Sequence, residues 1–167
     1  FDTLDDVLSE AMRSAEVTHN HPEGLLGAQA VAAATFMARK GARKSLIRAY
    51  IEDSFNYDLS ATIDEIRPDY NYDVSCQGSV PQAIMAFLEA KDFEDAVRNA
   101  VSLGGDSDTQ ACIAGGIAEA YFGRVPDHIA AQTLSCLDER LSSVLNLFYE
   151  KASNRESAGS GASFFVS

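Results

Sequence analysis

The stretch SLGGDSDTQACIAGGIAEAYFG, residues 102–123, carries the strongest structural signal of the sequence. Two glycines lead into two aspartates spaced Asp-x-Asp and a threonine, and the run that follows is mostly small and apolar, with Gln110 and Glu119 as its polar side chains. This composition predicts a helix that is buried on most sides and that ends at Gly123. Because such a helix is central, we expect its entrance to lie in a cleft.

The remainder of the chain also predicts helices, and no segment is convincing as a strand. Helices are expected over 2–13, 25–38 and 46–55, with a short helical piece at 63–66. Two further helices are expected to start at Ser79, where Gln82 completes a capping box, and after Asp92, which caps the next helix. The last helix is expected to be amphipathic, with an apolar face formed by Leu134, Leu137, Leu141, Val144 and Phe148. Short connections at this density predict an all-α fold, a compact multi-helix bundle. We expect a single domain over 1–151 and a flexible tail over 152–167.

The charge and the cysteines limit the classes of function. A formal net charge of −12 over 167 residues argues against nucleic acid or an anionic membrane as the main partner, because both require a basic surface. Three cysteines without C-x-x-C spacing indicate reduced thiols, which favours a cytoplasmic location. The sequence predicts neither a signal peptide nor a transmembrane segment.

The spacing of Asp106 and Asp108 poses a geometric problem, because residues two apart point to opposite sides of a helix. Gly104 and Gly105 resolve it by letting the chain turn tightly, so that Asp106 lies at the N-cap while Asp108 and Thr109 lie in the first turn. The three side-chain oxygens then converge above the helix end. Carboxylates and hydroxyls are hard ligands, and the pattern therefore predicts a site for Mg²⁺ or Mn²⁺.

Other interpretations of the polar residues stay open. An aspartate at an N-cap with further acids in the first turn is also ordinary helix capping. His19 and His21 suit a turn that bonds its own backbone, a substrate contact, or a zinc site that would need a third ligand from elsewhere. Tyr70 and Tyr72 suit either stacking on a base or a lid on the core, and Cys76 is interpreted as structural.

The sequence resembles the ADP-ribosylglycohydrolases, the family that includes the dinitrogenase reductase-activating glycohydrolase. The stretch LGGDSDTQACIAGGIAEAYFG resembles their C-terminal signature. THNHPEGLLGAQAVAAA and DVSCQGSVPQAIMAFLEAKDFEDAVRNAVSLGGDSDT resemble their middle and late helices in the same order. The resemblance extends over about 1–149, and Gly-Gly-Asp-x-Asp-Thr is its most specific part.

The resemblance implies an all-α fold with two Mg²⁺ or Mn²⁺ ions in a cleft. It also implies cleavage of the N- or O-glycosidic bond between ADP-ribose and a modified protein or a small acceptor. By position in the motif, Asp106, Asp108 and Thr109 match metal ligands of the family, and the two aspartates are the expected catalytic residues. The expected contacts to ADP-ribose are His19, Gly104, Gly105 and Ser107.

The family also carries an N-terminal Gly-Asp segment and a Ser/Thr-Asp-Asp motif, which supply further metal ligands and which this sequence does not contain. The resemblance therefore places the chain in the C-terminal part of the family's domain. We expect an upstream segment or a second chain to complete the metal site, and this chain alone to be inactive.

Two classes of function remain as alternatives to a hydrolase. The first is a non-catalytic module that binds ADP-ribose or shields a target from modification. The second is a helical interaction domain in which the acidic turn only caps a helix. Tight binding of Mg²⁺ or of ADP-ribose would exclude the second.

Overall fold

The computed structural model describes residues 1–159, with side chains as far as residue 152. The helices of this part of the chain are α1 (Leu4–Glu16), α2 (Pro22–Arg39), α3 (Lys44–Phe55), α4 (Ile63–Ile66), α5 (Cys76–Glu89), α6 (Phe93–Ser102), α7 (Ser107–Phe122), α8 (Asp127–Ser135) and α9 (Glu139–Gly159). No strand occurs among the described residues, so the predicted all-α class is confirmed. None of these helices is both long and apolar enough to span a membrane.

The helices belong to two compact units, residues 1–125 and residues 126–167, of which the second is described as far as residue 159. The first unit holds α1 to α7, and the second holds α8 and α9. The sequence predicts one domain over 1–151, and that assignment stays a prediction. The last helix also continues to Gly159, through the beginning of the predicted tail. The remainder of that predicted tail, 160–167, lies outside the described residues.

The central helix of the first unit is α7, which packs against α2, α5 and α6. Its residues Ala114, Ile117 and Ala118 are fully buried. Small residues allow the close approach of the neighbours, since a Cβ added at Gly115 would lie 3.4 Å from Cγ2 of Val97 in α6. The helix ends at Gly123, whose φ is +89°. The predicted buried helix and its predicted end are both confirmed.

The start of α5 differs from the prediction. The helix begins at Cys76, one turn before the expected start at Ser79, so the capping box placed there was wrong. Ser75 is the N-cap, and its hydroxyl accepts a hydrogen bond from the N–H of Gly78 at 3.1 Å. The Ser79 hydroxyl instead donates to the carbonyl of Ser75 at 2.7 Å, while Pro81 lies inside the helix, where it lacks an N–H to donate.

The predicted closing helix is divided in the structure. Leu134 lies in α8, and the chain leaves the helical conformation before α9 begins at Glu139. The carboxylate of Asp138 accepts a hydrogen bond from the N–H of Leu141 at 2.8 Å, which starts the new helix. The prediction of a single amphipathic helix was wrong, because this cap starts a second helix at Glu139.

Lys44, the first residue of α3, ties three helices of the first unit together. Its ammonium group donates to the carbonyl of Phe87 at 2.9 Å and to that of Ala90, at the C-terminal end of α5. It also lies over the rings of Phe87, Tyr121 and Phe122, at 4.9–5.4 Å from their centroids. Burial in this setting lowers the pKa of Lys44.

Candidate functional site

A turn of two glycines leads the chain into α7. Gly104 and Gly105 have φ angles of +75° and +64°, in the left-handed region that glycine occupies without strain. Asp106 follows as the N-cap, with φ −80° and ψ 60°, and the helix begins at Ser107. The predicted start of this helix is confirmed, and the turn places Asp106 at the entrance of the central helix.

Asp106 and Asp108 lie close together at this turn, two positions apart. The Asp106 side chain is the largest of the influences that hold the pKa of Asp108 below its ordinary value, ahead of backbone N–H groups of Thr109 and of Asp108 itself. The side chain of Asp106 makes no capping hydrogen bond to the helix that follows it. Asp106 is half-buried and Asp108 is exposed, so a ligand in solution can reach this pair.

The loop over 70–74 lies directly against the glycine turn. A Cβ atom added to Gly105 would lie 3.0 Å from Cε1 of Tyr70 and 3.3 Å from the carbonyl oxygen of Asn71. It would also lie 3.4 Å from Cα of Tyr72, whose side chain is exposed. Gly105 is therefore required both by its φ angle and by the close approach of this loop.

A chain of hydrogen bonds joins α7 to α5 through the same loop. Nε2 of Gln110 donates to Oη of Tyr70 at 2.7 Å, and Tyr70 donates to the carbonyl oxygen of Gly78 at 2.6 Å. Gln110 is fully buried, and its Oε1 has no hydrogen-bond partner among the described residues. Burial, followed by the negative charges of Asp73 and Asp106, raises the pKa of Tyr70, so the hydroxyl stays protonated at neutral pH.

Sequence reasoning missed the contact between Tyr70 and Gln110. The two residues are 40 positions apart, and no periodic pattern connects a loop residue to a helix residue. The available signal was the amide itself, since a glutamine on a buried helix needs a hydrogen-bond partner from another element.

The other predicted site residues have separate surroundings. His19 is exposed in the turn between α1 and α2, where its Nδ1 shares a hydrogen bond with Oγ1 of Thr18 at 2.8 Å. Across the described part of the chain, no hydrogen bond joins His19 to the aspartate pair. Ser107 is half-buried and Thr109 is exposed, both in the first turn of α7. The structure thus brings together the residues of the 104–109 turn but does not join His19 to them by a hydrogen bond.

The 104–109 turn fits part of a divalent-metal site. Two adjacent carboxyl groups and the Thr109 hydroxyl are oxygen donors of the kind that Mg²⁺ and Mn²⁺ prefer. No cluster of three or more His, Cys, Asp or Glu side chains within residues 1–152 has the arrangement of a metal site.

The comparison with protein families identifies the fold to which this turn belongs. The sequence model of the ADP-ribosylglycohydrolase family matches residues 1–157. The match includes the turn of His19, the Tyr70 loop, the aspartate pair and the whole of α1 to α8. The chain therefore belongs to the ADP-ribosylglycohydrolase family, as its resemblance predicted, and its general function is that of a glycohydrolase.

Proposed function

We propose that the protein is a metal-dependent hydrolase that removes ADP-ribose from a modified protein or a small acceptor by cleaving its glycosidic bond. The family match over residues 1–157 supports the class of reaction. The observation that carries the proposal is the pair of carboxyl groups at the start of α7, of which that of Asp106 is not used to cap the helix.

The proposed metal ligands are Asp106, Asp108 and Thr109, and the proposed cofactor is a pair of Mg²⁺ or Mn²⁺ ions. When bound, such ions polarise the groups that they touch and lower the pKa of bound water. Two six-coordinate ions require more ligands than two carboxylates and one hydroxyl provide. We therefore propose that an upstream segment or a second chain supplies the rest.

The same turn suits the phosphate and sugar parts of ADP-ribose. Free N–H groups and the positive end of the helix dipole favour a phosphate near the start of α7. Gly104 and Gly105 present backbone without side chains, which permits a ribose to approach closely. Ser107 offers a half-buried hydroxyl in the first turn, and His19 is proposed as a further contact to ADP-ribose.

Asp106 and Asp108 are the proposed catalytic residues. A general base must lie within hydrogen-bond reach of the attacking water, and the exposed carboxylate of Asp108 at the start of α7 is proposed for this role. Cleavage of a glycosidic bond passes through an oxocarbenium-like state with positive charge on the sugar ring. Two nearby carboxylates stabilise such a charge electrostatically.

The test is calorimetric titration with MnCl₂ of the protein together with the segment that completes the site, as the wild type and as the variants Asp106→Ala and Asp108→Ala. Asp92→Ala is the matched control, because Asp92 is also an N-cap aspartate, at the start of α6. We expect both site variants to lose most of the Mn²⁺ affinity and the control to keep it. Equal affinity in all four proteins would refute the metal site.

The reaction itself is tested by release of ADP-ribose from an ADP-ribosylated protein in the presence of Mn²⁺, with and without the upstream segment. Turnover that requires this segment and is lost in Asp106→Asn supports the proposal. Binding of ADP-ribose without turnover in any combination would show a non-catalytic binding module instead. We further propose a cytoplasmic location, which is supported by three free thiols, Cys76, Cys112 and Cys136.

A further inference from the structure

Tyr70 contacts three separate elements around the aspartate pair. Its ring packs on Gly105, with Cε1 3.0 Å from the position that a Cβ of Gly105 would take. Its hydroxyl accepts from the buried amide of Gln110, in α7, and donates to the carbonyl of Gly78, in α5. One side chain therefore holds the residue before Asp106, the helix that follows it and a neighbouring helix.

We propose that Tyr70 is a positioning residue, which holds the glycine turn in the conformation that places Asp106 at the N-cap of α7 and Asp108 in its first turn. The proposal rests on the proposed function, because the property that it concerns is the affinity of this pair for a divalent cation. Tyr70 acts through its ring on Gly105 and through its hydroxyl on Gln110.

The physical reason is the conformational freedom of the turn. Two successive glycines adopt positive φ without strain, but glycine also has the most alternative conformations, so surrounding contacts must select this one. The Tyr70 ring blocks movement of Gly105 on one side, and the Gln110 amide fixes the first turns of α7 on the other. Groups that orient metal ligands in this way typically change metal affinity about 10–100-fold when they are removed.

The hydroxyl is the informative part of Tyr70 to remove. Tyr70→Phe keeps the ring on Gly105 but removes the described partner of the buried Nε2 of Gln110 and the side-chain donor to the carbonyl of Gly78. Gln110 already has no described partner for Oε1, so its whole amide becomes unpaired. Gln110→Leu breaks the same chain from the other end and serves as a second variant.

The matched control is Tyr57→Phe. Tyr57 is buried and Tyr70 is half-buried, but the hydroxyl of Tyr57 has no hydrogen-bond partner within the described structure. The same chemical change is therefore made at a buried tyrosine that does not bridge α7 to another element.

The experiment measures Mn²⁺ affinity by calorimetry and hydrogen exchange by mass spectrometry on the wild-type protein and the three variants, each well below its melting temperature. We expect Tyr70→Phe and Gln110→Leu to weaken Mn²⁺ binding about tenfold or more and to speed exchange in peptides that cover 103–110. Tyr57→Phe is expected to change neither quantity.

Each other outcome has a definite meaning. Unchanged Mn²⁺ affinity in Tyr70→Phe, with or without faster exchange, overturns the positioning role, because the turn then keeps its ligand geometry without the hydroxyl. An equal loss of affinity in Tyr57→Phe also overturns it, since the effect would be general to the fold. A wild-type protein whose Mn²⁺ binding is insensitive to Asp106→Ala would instead refute the proposed function, and the inference with it.

Discussion

Two neighbouring helices of the first unit both begin with an aspartate at the N-cap, and the two aspartates behave differently. Asp92, before α6, has an extended backbone, and its carboxylate accepts a hydrogen bond from the N–H of Asp95 at 2.8 Å. Asp106, before α7, has φ −80° and ψ 60° after two left-handed glycines, and its side chain makes no such bond. The first is a helix cap, and the second is an N-cap residue whose carboxyl group faces another carboxyl group.

The difference shows how a backbone turn changes the use of a side chain. The carboxylate of an N-cap aspartate normally accepts hydrogen bonds from the first N–H groups of its helix, which stabilises the helix by about 1 kcal/mol. The glycine turn rotates Asp106 away from that geometry and toward Asp108. Ordinary capping, which the sequence left open for Asp106, therefore describes Asp92 and not Asp106.

The largest effect on stability is expected where the two helices touch. Gly115→Leu places a large side chain against Val97 and Phe93 of α6, and we expect it to lower the free energy of unfolding by roughly 1–3 kcal/mol. Gly116 is the control, because a Cβ added there has no neighbour within 4 Å. Gly116→Leu is expected to stabilise the helix slightly, since leucine is a better helix former than glycine.

Denaturant unfolding of both variants measures this contrast. Equal stability of Gly115→Leu and the wild type would show that α6 and α7 are not closely packed at this point. The two N-caps could then no longer be compared as those of closely packed neighbouring helices.

The next effect concerns the two glycines of the turn. Alanine at either position takes a left-handed conformation, which costs roughly 1–2 kcal/mol. We expect Gly105→Ala to lie at the upper end of that range and Gly104→Ala at the lower end, because only the Cβ at Gly105 meets a neighbour. Thermal melts of the two variants give the order, and the reverse order would contradict the close packing of Tyr70 on the turn.

A smaller difference in stability is expected between alanine variants of the two N-cap aspartates. Asp92→Ala removes a capping hydrogen bond and is expected to destabilise the protein by about 1 kcal/mol. Asp106→Ala removes no capping bond, so its effect on the free energy of unfolding in metal-free buffer should be clearly smaller. Urea denaturation of the two variants tests this, and an equal loss of stability would make Asp106 a cap like Asp92.

The smallest effect on stability is expected from protonation of Asp108 in acid. Its pKa is lower in the folded protein than the ordinary value of 3.8, so the ionised carboxylate adds stability above that value. This stability is lost as the pH falls below 3.8 and through the folded pKa. The melting temperature of the wild type should fall slightly more steeply over this range than that of Asp108→Asn. Parallel curves would remove the evidence for a carboxyl pair.

Much of the fold was predictable because local chemistry determines it. The start of α7 at the glycine turn, its end at Gly123, the short helix at Ile63–Ile66 and the Asp92 cap all follow from residues close in sequence. The start of α5 was not predictable in this way, because Ser75 and Ser79 are both good caps. Proline is better tolerated in a first turn, which favoured a start at Ser79, but Pro81 lies in the interior of the helix. Only the packing of the whole unit selects between them.

The geometry around the proposed site was predictable only where it is local. The turn at Gly104 and Gly105 and the N-cap position of Asp106 depend on adjacent residues, which the sequence displays. The support from Tyr70 depends on a loop that returns to α7 after 40 residues, and nothing in the sequence around Tyr70 indicates its partner. Residues that hold a site in place are therefore harder to find from sequence than residues that form it.

The setting of Lys44 has a consequence for acylation chemistry. An acetyl group on this amine would remove its charge and would leave the carbonyls of Phe87 and Ala90 with fewer donors, while adding bulk beneath three aromatic rings. Acetylation of Lys44 is therefore expected to weaken the contacts that its ammonium group makes with α5 and α7.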